Sequence, residues 1–278
     1  MKPAPTLGES PCRAALRSDA PPALSEWDVH VWSVELDDWL AEIRSLSLLL
    51  SADEQAQAAR FVFGRDGARF ILRRALLRQI LSGYTGQKPG RLEFYRTPLG
   101  RPMLARECGG DTLRFSLSHS HGLILVAVTQ QRQVGIDVER VREDFAWSPM
   151  ISTVFSETES IAFNLLPSPQ QTGAFFNSWT RKEAFLKATG EGIATSLRQV
   201  EVSLQAPKVL RIGGDVKPAA AWSLRDLVPA PGFIASLAVF GHDWRLSMGR
   251  WRRMGEHPMA AMGSHGSVRH DTSSLLCF

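Results

Sequence analysis

Two carboxylates stand two residues apart in Val134-Gly-Ile-Asp-Val-Glu139. In an extended strand Gly135, Asp137 and Glu139 point to one face, and Val134, Ile136 and Val138 to the other. The two acids then lie side by side, about 7 Å apart at their Cα atoms. Like charges that close repel unless a cation or an arginine sits between them. Oxygen ligands of this kind suit a hard ion such as Mg²⁺, which keeps waters and shares phosphates. Gly135 is expected to leave the face open beside them. A second stretch, Trp179-Thr-Arg-Lys-Glu-Ala-Phe-Leu-Lys187, reads as a helix with Glu183 and Lys187 one turn apart on one face. A third, Phe115-Ser-Leu-Ser-His119, puts Ser118 and His119 at a strand end. Each stretch alone also has a bland reading: a solvated strand face, a surface salt bridge worth about 0.3–0.5 kcal/mol, and a structural histidine. His119 and His121 find no further His, Cys or acid at zinc-ligand spacing.

The elements that must position these groups follow from the apolar periods. The acids at 137 and 139 belong to a strand over 133–139. Two strands precede it, at 113–118 and 123–129, joined by a loop at 118–122. The Glu183 helix spans 173–188, with Phe175, Trp179 and Leu186 as its buried stripe and Gly190 and Gly192 to end it. A shorter helical pattern lies near 156–165. Upstream, Trp27, Val29 and Val31 alternate as a half-buried strand. Ser51-Ala-Asp-Glu54 is a capping box that should open a helix. A stronger helix covers 66–82. Leu72, Leu76, Leu77, Ile80 and Leu81 share one stripe, Arg69, Arg73, Arg74 and Arg78 fall largely on the other side, and Gly83 is the expected cap. A short strand at 92–95 leads to the turn Thr97-Pro-Leu-Gly100, and strands near 196–204 and 232–240 follow. Residues 1–24, rich in proline, are expected to be a disordered tail. Residues 243–278 are expected to be a flexible basic tail.

The 278 residues are 44% hydrophobic and 22% charged, as in soluble globular proteins with a sizeable core. No apolar run is long enough to span a membrane. The N-terminal stretch lacks the apolar core of a secretory signal. Cys12, Cys108 and Cys277 match neither a zinc spacing nor a disulfide framework, which points to a reducing cytoplasm. A net charge of +4 is mild for this length, and no nucleic-acid reading motif or phosphate-binding P-loop accompanies it.

Five segments, in order, resemble the Sfp-type 4′-phosphopantetheinyl transferases: Arg60-Phe-Val-Phe-Gly-Arg-Asp66, Gly100-Arg-Pro102, Phe115-Ser-Leu-Ser-His119, Val134-Gly-Ile-Asp-Val-Glu139 and Trp179-Thr-Arg-Lys-Glu-Ala-Phe-Leu-Lys187. The last two are the specific ones. The resemblance implies an α+β fold, a pseudo-dimer of two similar halves at 25–132 and 133–242 with the active site in the cleft between them. It implies transfer of the 4′-phosphopantetheine arm of coenzyme A to a serine of an apo carrier protein, acyl or peptidyl, with release of adenosine 3′,5′-bisphosphate. Asp137, Glu139 and Glu183 would ligate Mg²⁺, and Mn²⁺ fits the same oxygens. Glu183 and Lys187 would be catalytic. Coenzyme A would be held through Arg96, Arg101, Ser118, His119, Asp137, Lys182 and Lys187. The expected partners are the carrier and coenzyme A, with no nucleic acid and no membrane, and the expected state is a monomer in the cytoplasm. One position departs from the family. A basic residue that reaches the 3′-phosphate is common near Gln57, which is uncharged here. Arg60 and Arg65 are the substitutes at hand.

Overall fold

A computed structural model describes Leu16, 23–191 and 197–253 of the chain. The first strand, β1 (Asp28–Glu35), is buried along both faces rather than one. Trp32 and Val34 point into a core under a long helix, while Val29 and Val31 point into a second core shared with another sheet. Trp27 lies outside the strand, exposed, with the Arg132 guanidinium over its ring. Two short helices follow, α1 (Ile43–Ser47) and α2 (Ala52–Ala58). The capping box at the start of α2 forms as expected: Ser51 Oγ accepts from the Glu54 amide at 3.3 Å, and Glu54 accepts from the Ser51 amide at 3.0 Å.

The long helix α3 (Gly64–Thr85) lays Leu72, Leu76, Ile80 and Leu81 on the sheet. It ends at Gly86, with φ of 70°, and not at Gly83. The extra turn carries Tyr84, whose buried hydroxyl accepts from Trp32 Nε1 at 2.7 Å and ties the helix end to β1. The expected arginine face is also corrected. Arg78 is buried, its Nε on the Glu54 carboxylate at 2.9 Å and its Nη1 on the carbonyls of Pro89 and Leu92. Arg74 shares the same carboxylate. Both clamp α2 to α3. The hairpin β2 (Phe94–Arg96) and β3 (Pro102–Leu104) encloses the expected turn, where the Gly100 amide donates to Thr97 O. Strands β4 (Leu113–Ser120) and β5 (Leu123–Gln130) complete the half. β4 runs two residues further than expected. The loop at 118–122 shrinks to a tight turn at His121 and Gly122, both at positive φ.

The second half begins with β6 (Val134–Arg140) and continues through α4 (Ile151–Val154), α5 (Glu157–Asn164) and α6 (Ser168–Thr189). The ribbon β7 (Val200–Val202) and β8 (Val209–Ile212) then leads to β9 (Trp222–Leu227) and β10 (Phe233–Phe240). α6 ends at Gly190, with φ of 77°, and Gly192 lies outside the described residues. The last strand, β11 (Arg245–Arg250), overturns the expected tail from 243. It returns to the first half and pairs in parallel with β1, Val31 opposite Met248. Trp251 then packs on Trp32 edge to face. Leu16, inside the segment expected to be disordered, is buried and donates to Met248 O. Residues 254–278 lie outside the described residues.

The sheet of the first half has the order β11-β1-β5-β4, and that of the second β6-β10-β9. Each half is a 22-residue helix on a largely antiparallel sheet, an α+β architecture. Val31, Leu125, Ile136, Leu237 and Leu246 fill the core between the two sheets. Among the described residues no helix is long and apolar enough to cross a membrane.

Candidate active site

The two halves meet where β4 runs beside β6. In an antiparallel pair alternate amides face outward, and β10 occupies only one edge of β6. The outward amides are met by serine hydroxyls instead of by a backbone ladder. Ser116 Oγ accepts from the Ile136 amide at 3.1 Å, Ser118 Oγ from Val138 at 3.4 Å, and Ser120 Oγ from Arg140 at 3.2 Å. The parity of the two strands then matches each serine to one position on the acidic face. Ser118 donates to Asp137 Oδ1 at 2.7 Å, and Ser120 donates to Glu139 Oε2 at 2.9 Å. The position matched to Ser116 is Gly135.

Gly135 does not leave the face open, as its size suggested. The backbone of α6 lies across it. A Cβ at 135 would overlap the Ala184 carbonyl oxygen and the Ala188 backbone. Ala184 and Ala188 are themselves fully buried, so small residues on both sides let helix and strand approach. This contact sets Glu183 and Lys187 over the acidic face. Lys187 Nζ reaches Asp137 Oδ1 at 2.6 Å and Ser118 Oγ at 3.0 Å. Burial works against its charge, but Asp137, Glu183 and Glu139 together raise its pKa above the ordinary lysine value. The acids show the converse strain. Burial and the charge of Asp137 push Glu139 and Glu183 each up to about 7, with Lys187 partly offsetting the rise. Asp137 Oδ2 is buried and has no hydrogen-bond partner. Among the described residues, no three His, Cys, Asp or Glu side chains form a cluster ready to hold an ion.

Comparison with known proteins agrees with the five segments. Residues 133–238 match the model of the 4′-phosphopantetheinyl transferase superfamily, and residues 30–131 match that of the 4′-phosphopantetheinyl transferase N-terminal domain. The chain is 38% identical over 218 residues to 4′-phosphopantetheinyl transferase HetI of Nostoc sp., covering 78% of this chain and 90% of that protein. The chain belongs to the 4′-phosphopantetheinyl transferase superfamily. The transferase psf-1 of Bacillus pumilus is 32% identical over 165 residues, 58% of this chain and 68% of its own. The human L-aminoadipate-semialdehyde dehydrogenase-phosphopantetheinyl transferase is 26% identical over 193 residues, 66% and 60% of the two chains. Phosphopantetheinyl transfer is thus the activity of this family.

The remaining expected coenzyme A contacts of this transferase divide. His119 stands half-buried on β4, and burial, Arg73, Lys187 and Arg69 lower its pKa to about 3. Its imidazole is therefore neutral at neutral pH, a hydrogen-bonding group and not a cation. Arg73 and Arg69, one turn apart on α3, are the cations beside it, although their stripe lies opposite the leucines of that helix. Arg101 is partly buried, with Nη1 on Ala188 O at 2.7 Å and Nη2 on Val134 O at 3.1 Å, so it staples the end of α6 to the start of β6. Arg96 is exposed and donates to Gly100 O at 2.9 Å. Gln57 and Arg60 line an open pocket on α2 with Asp53, Ala56 and Phe61.

Lys182 is a correction. It is fully buried, with Nζ on Glu159 Oε2 at 2.5 Å, Val154 O at 2.7 Å and Leu197 O at 3.1 Å. Glu159 also caps α5 by accepting from the Ser156 amide, and it accepts from the Val202 amide. All of the lysine's donors are used inside the fold. Removing one partner of a buried pair costs about 3–5 kcal/mol. Lys182→Met is therefore expected to unfold at clearly lower urea concentration while the coenzyme A KM of the folded enzyme stays unchanged. Wild-type urea stability with a raised KM would restore the expected ligand contact.

Proposed function

We infer that this transferase moves the 4′-phosphopantetheine arm of coenzyme A to a serine hydroxyl of an apo acyl or peptidyl carrier protein, at the seam between its halves, with a bound divalent ion. The observation that carries the reading is the charge coupling of Glu139 and Glu183 to the buried Asp137, with Lys187 bonded to that same Asp137. The serine oxygen forms a bond to the phosphorus that bears the pantetheine arm. The bond from that phosphorus to the oxygen of the leaving adenosine 3′,5′-bisphosphate breaks. A serine hydroxyl needs a base at neutral pH. Glu183, a carboxylate facing Asp137 and Lys187, accepts that proton. Lys187 donates to the phosphate and offsets its charge. Both halves of the site come from one chain, which suits a monomer. Cys108, buried and unpaired, suits a reducing cytoplasm.

The residues fit Mg²⁺ as the ion. Their donors are all carboxylate oxygens, one of which, Asp137 Oδ2, is buried without a partner, and hard cations take such oxygens. Asp137, Glu139 and Glu183 would hold it. When bound, the ion supplies charge neutralisation on the phosphates. A pH dependence follows from the two strained acids. Their folded pKa values, about 7, lie above the ordinary 4.5. The stability they contribute is full below pH 4.5 and is lost as the pH rises through 7. A cation that binds the ionised pair restores it. Added Mg²⁺ is therefore expected to raise the melting temperature more at pH 8 than at pH 5.5, which a thermal-shift series measures.

The activity itself is tested by mass spectrometry of apo acyl and peptidyl carriers after incubation with coenzyme A and Mg²⁺. A mass gain of one phosphopantetheine on serine is the expected result. No adduct on any carrier would sink the reading.

A further inference from the structure

The seam pairs three serines with three positions of β6: Ser116 with Gly135, Ser118 with Asp137, and Ser120 with Glu139. Each hydroxyl oxygen accepts a hydrogen bond from an outward β6 amide, which fixes the oxygen. A hydroxyl so fixed has one donor left. Ser120 is itself 3% exposed, and that donor is aimed at Glu139 Oε2, 2.9 Å away. His121 Nδ1 lies 3.1 Å from Ser120 Oγ. With its proton on Nδ1 the ring donates into Ser120 Oγ and leaves the serine proton on Glu139.

We propose that Ser120 is a positioning residue that holds the Glu139 carboxylate in place for the divalent ion. The inference rests on the metal reading above and goes beyond it by naming the residue that orients one ligand. Asp137 Oδ1 accepts from both Ser118 Oγ and Lys187 Nζ, so Asp137 is held twice over. Among the described residues, Glu139 takes its seam bond from Ser120 alone. Groups behind a metal ligand that fix its orientation commonly carry 10–100-fold of metal affinity. Ser116 is the built-in control. It makes the same kind of amide bond across the seam, and its matched position bears no carboxylate.

The experiment is a titration of the full chain with Mn²⁺ alone, read by the loss of free-ion electron paramagnetic resonance signal. It is run on wild type, Ser120→Ala, Ser120→Thr and Ser116→Ala, with melting temperatures of all four. The expected result is Mn²⁺ binding weakened about 10-fold or more in Ser120→Ala and unchanged in Ser116→Ala, although both lose a seam bond and melt lower. Ser120→Thr, which keeps the hydroxyl, is expected to recover most of the affinity. Wild-type affinity in Ser120→Ala, or equal weakening in Ser116→Ala, would overturn the proposal while leaving the metal reading standing. Failure of the wild type to bind Mn²⁺ would overturn both.

Discussion

Glu183→Ala is expected to lower the rate of carrier modification about 10²–10⁴-fold at saturating coenzyme A, the range for loss of a general base. The side chain sits over a strand that already holds two acids, and burial with Asp137 pushes its pKa to about 7. Alanine removes the proton acceptor and one of the three oxygen donors together. Glu183→Gln keeps the shape and should lose nearly as much, because an amide cannot take the serine proton. Folding should survive both changes, since they relieve repulsion in the cluster and the helix is held by Ala184, Phe185 and Ala188. Single-turnover assays at several pH values would check this. A near-normal rate in Glu183→Ala would remove Glu183 from the chemistry.

Gly135→Ala is expected to do more damage than any change of one methyl elsewhere in β6. The added carbon meets backbone on α6, the Ala184 carbonyl and Ala188, and not the end of a mobile side chain. Backbone cannot rotate away, so α6 must lift from the strand. Overpacking of a core costs about 1–3 kcal/mol and sometimes more. At this size that is a melting-temperature fall of about 6–12 °C for the upper figure. Activity should fall further than stability, because the lifted helix carries Glu183 and Lys187 away from Asp137. Gly173→Ala, on the same helix with open space at its Cβ, is the contrast and should be neutral or slightly stabilising. Calorimetry of the two variants separates the cases, and equal melting temperatures would contradict the close-approach argument.

Strand parity and helix period made the chemistry legible: Asp137 and Glu139 share a face, Glu183 and Lys187 share another, and Ser51 with Glu54 starts α2. Other features needed the partner element. Gly135 looks like open space until α6 is placed against it. β1 alternates in sequence, yet both its faces are covered, because a second sheet packs where solvent was expected. The strand at Arg245–Arg250 pairs with residues more than two hundred positions earlier, and no local period announces so distant a partner. Two further features were legible in the sequence. Adjacent helix residues point about 100° apart, so Lys182 could not share the direction of Glu183. The alternation Ser116, Ser118, Ser120 against Gly135, Asp137, Glu139 repeats one period on two strands, which is the signal that would have singled out Ser120.

The return of β11 to the first sheet governs how this enzyme can be cut or joined. β11 and β4 are the two opposite edges of that sheet, three strand spacings or about 14 Å apart. A protein fused after residue 253 would therefore leave from the edge away from the seam. Cleaving the chain between 131 and 133 would give a second fragment that still carries the first fragment's missing edge. Two such pieces would recognise each other by completing a sheet, and only their reunion would bring β4 beside β6 again.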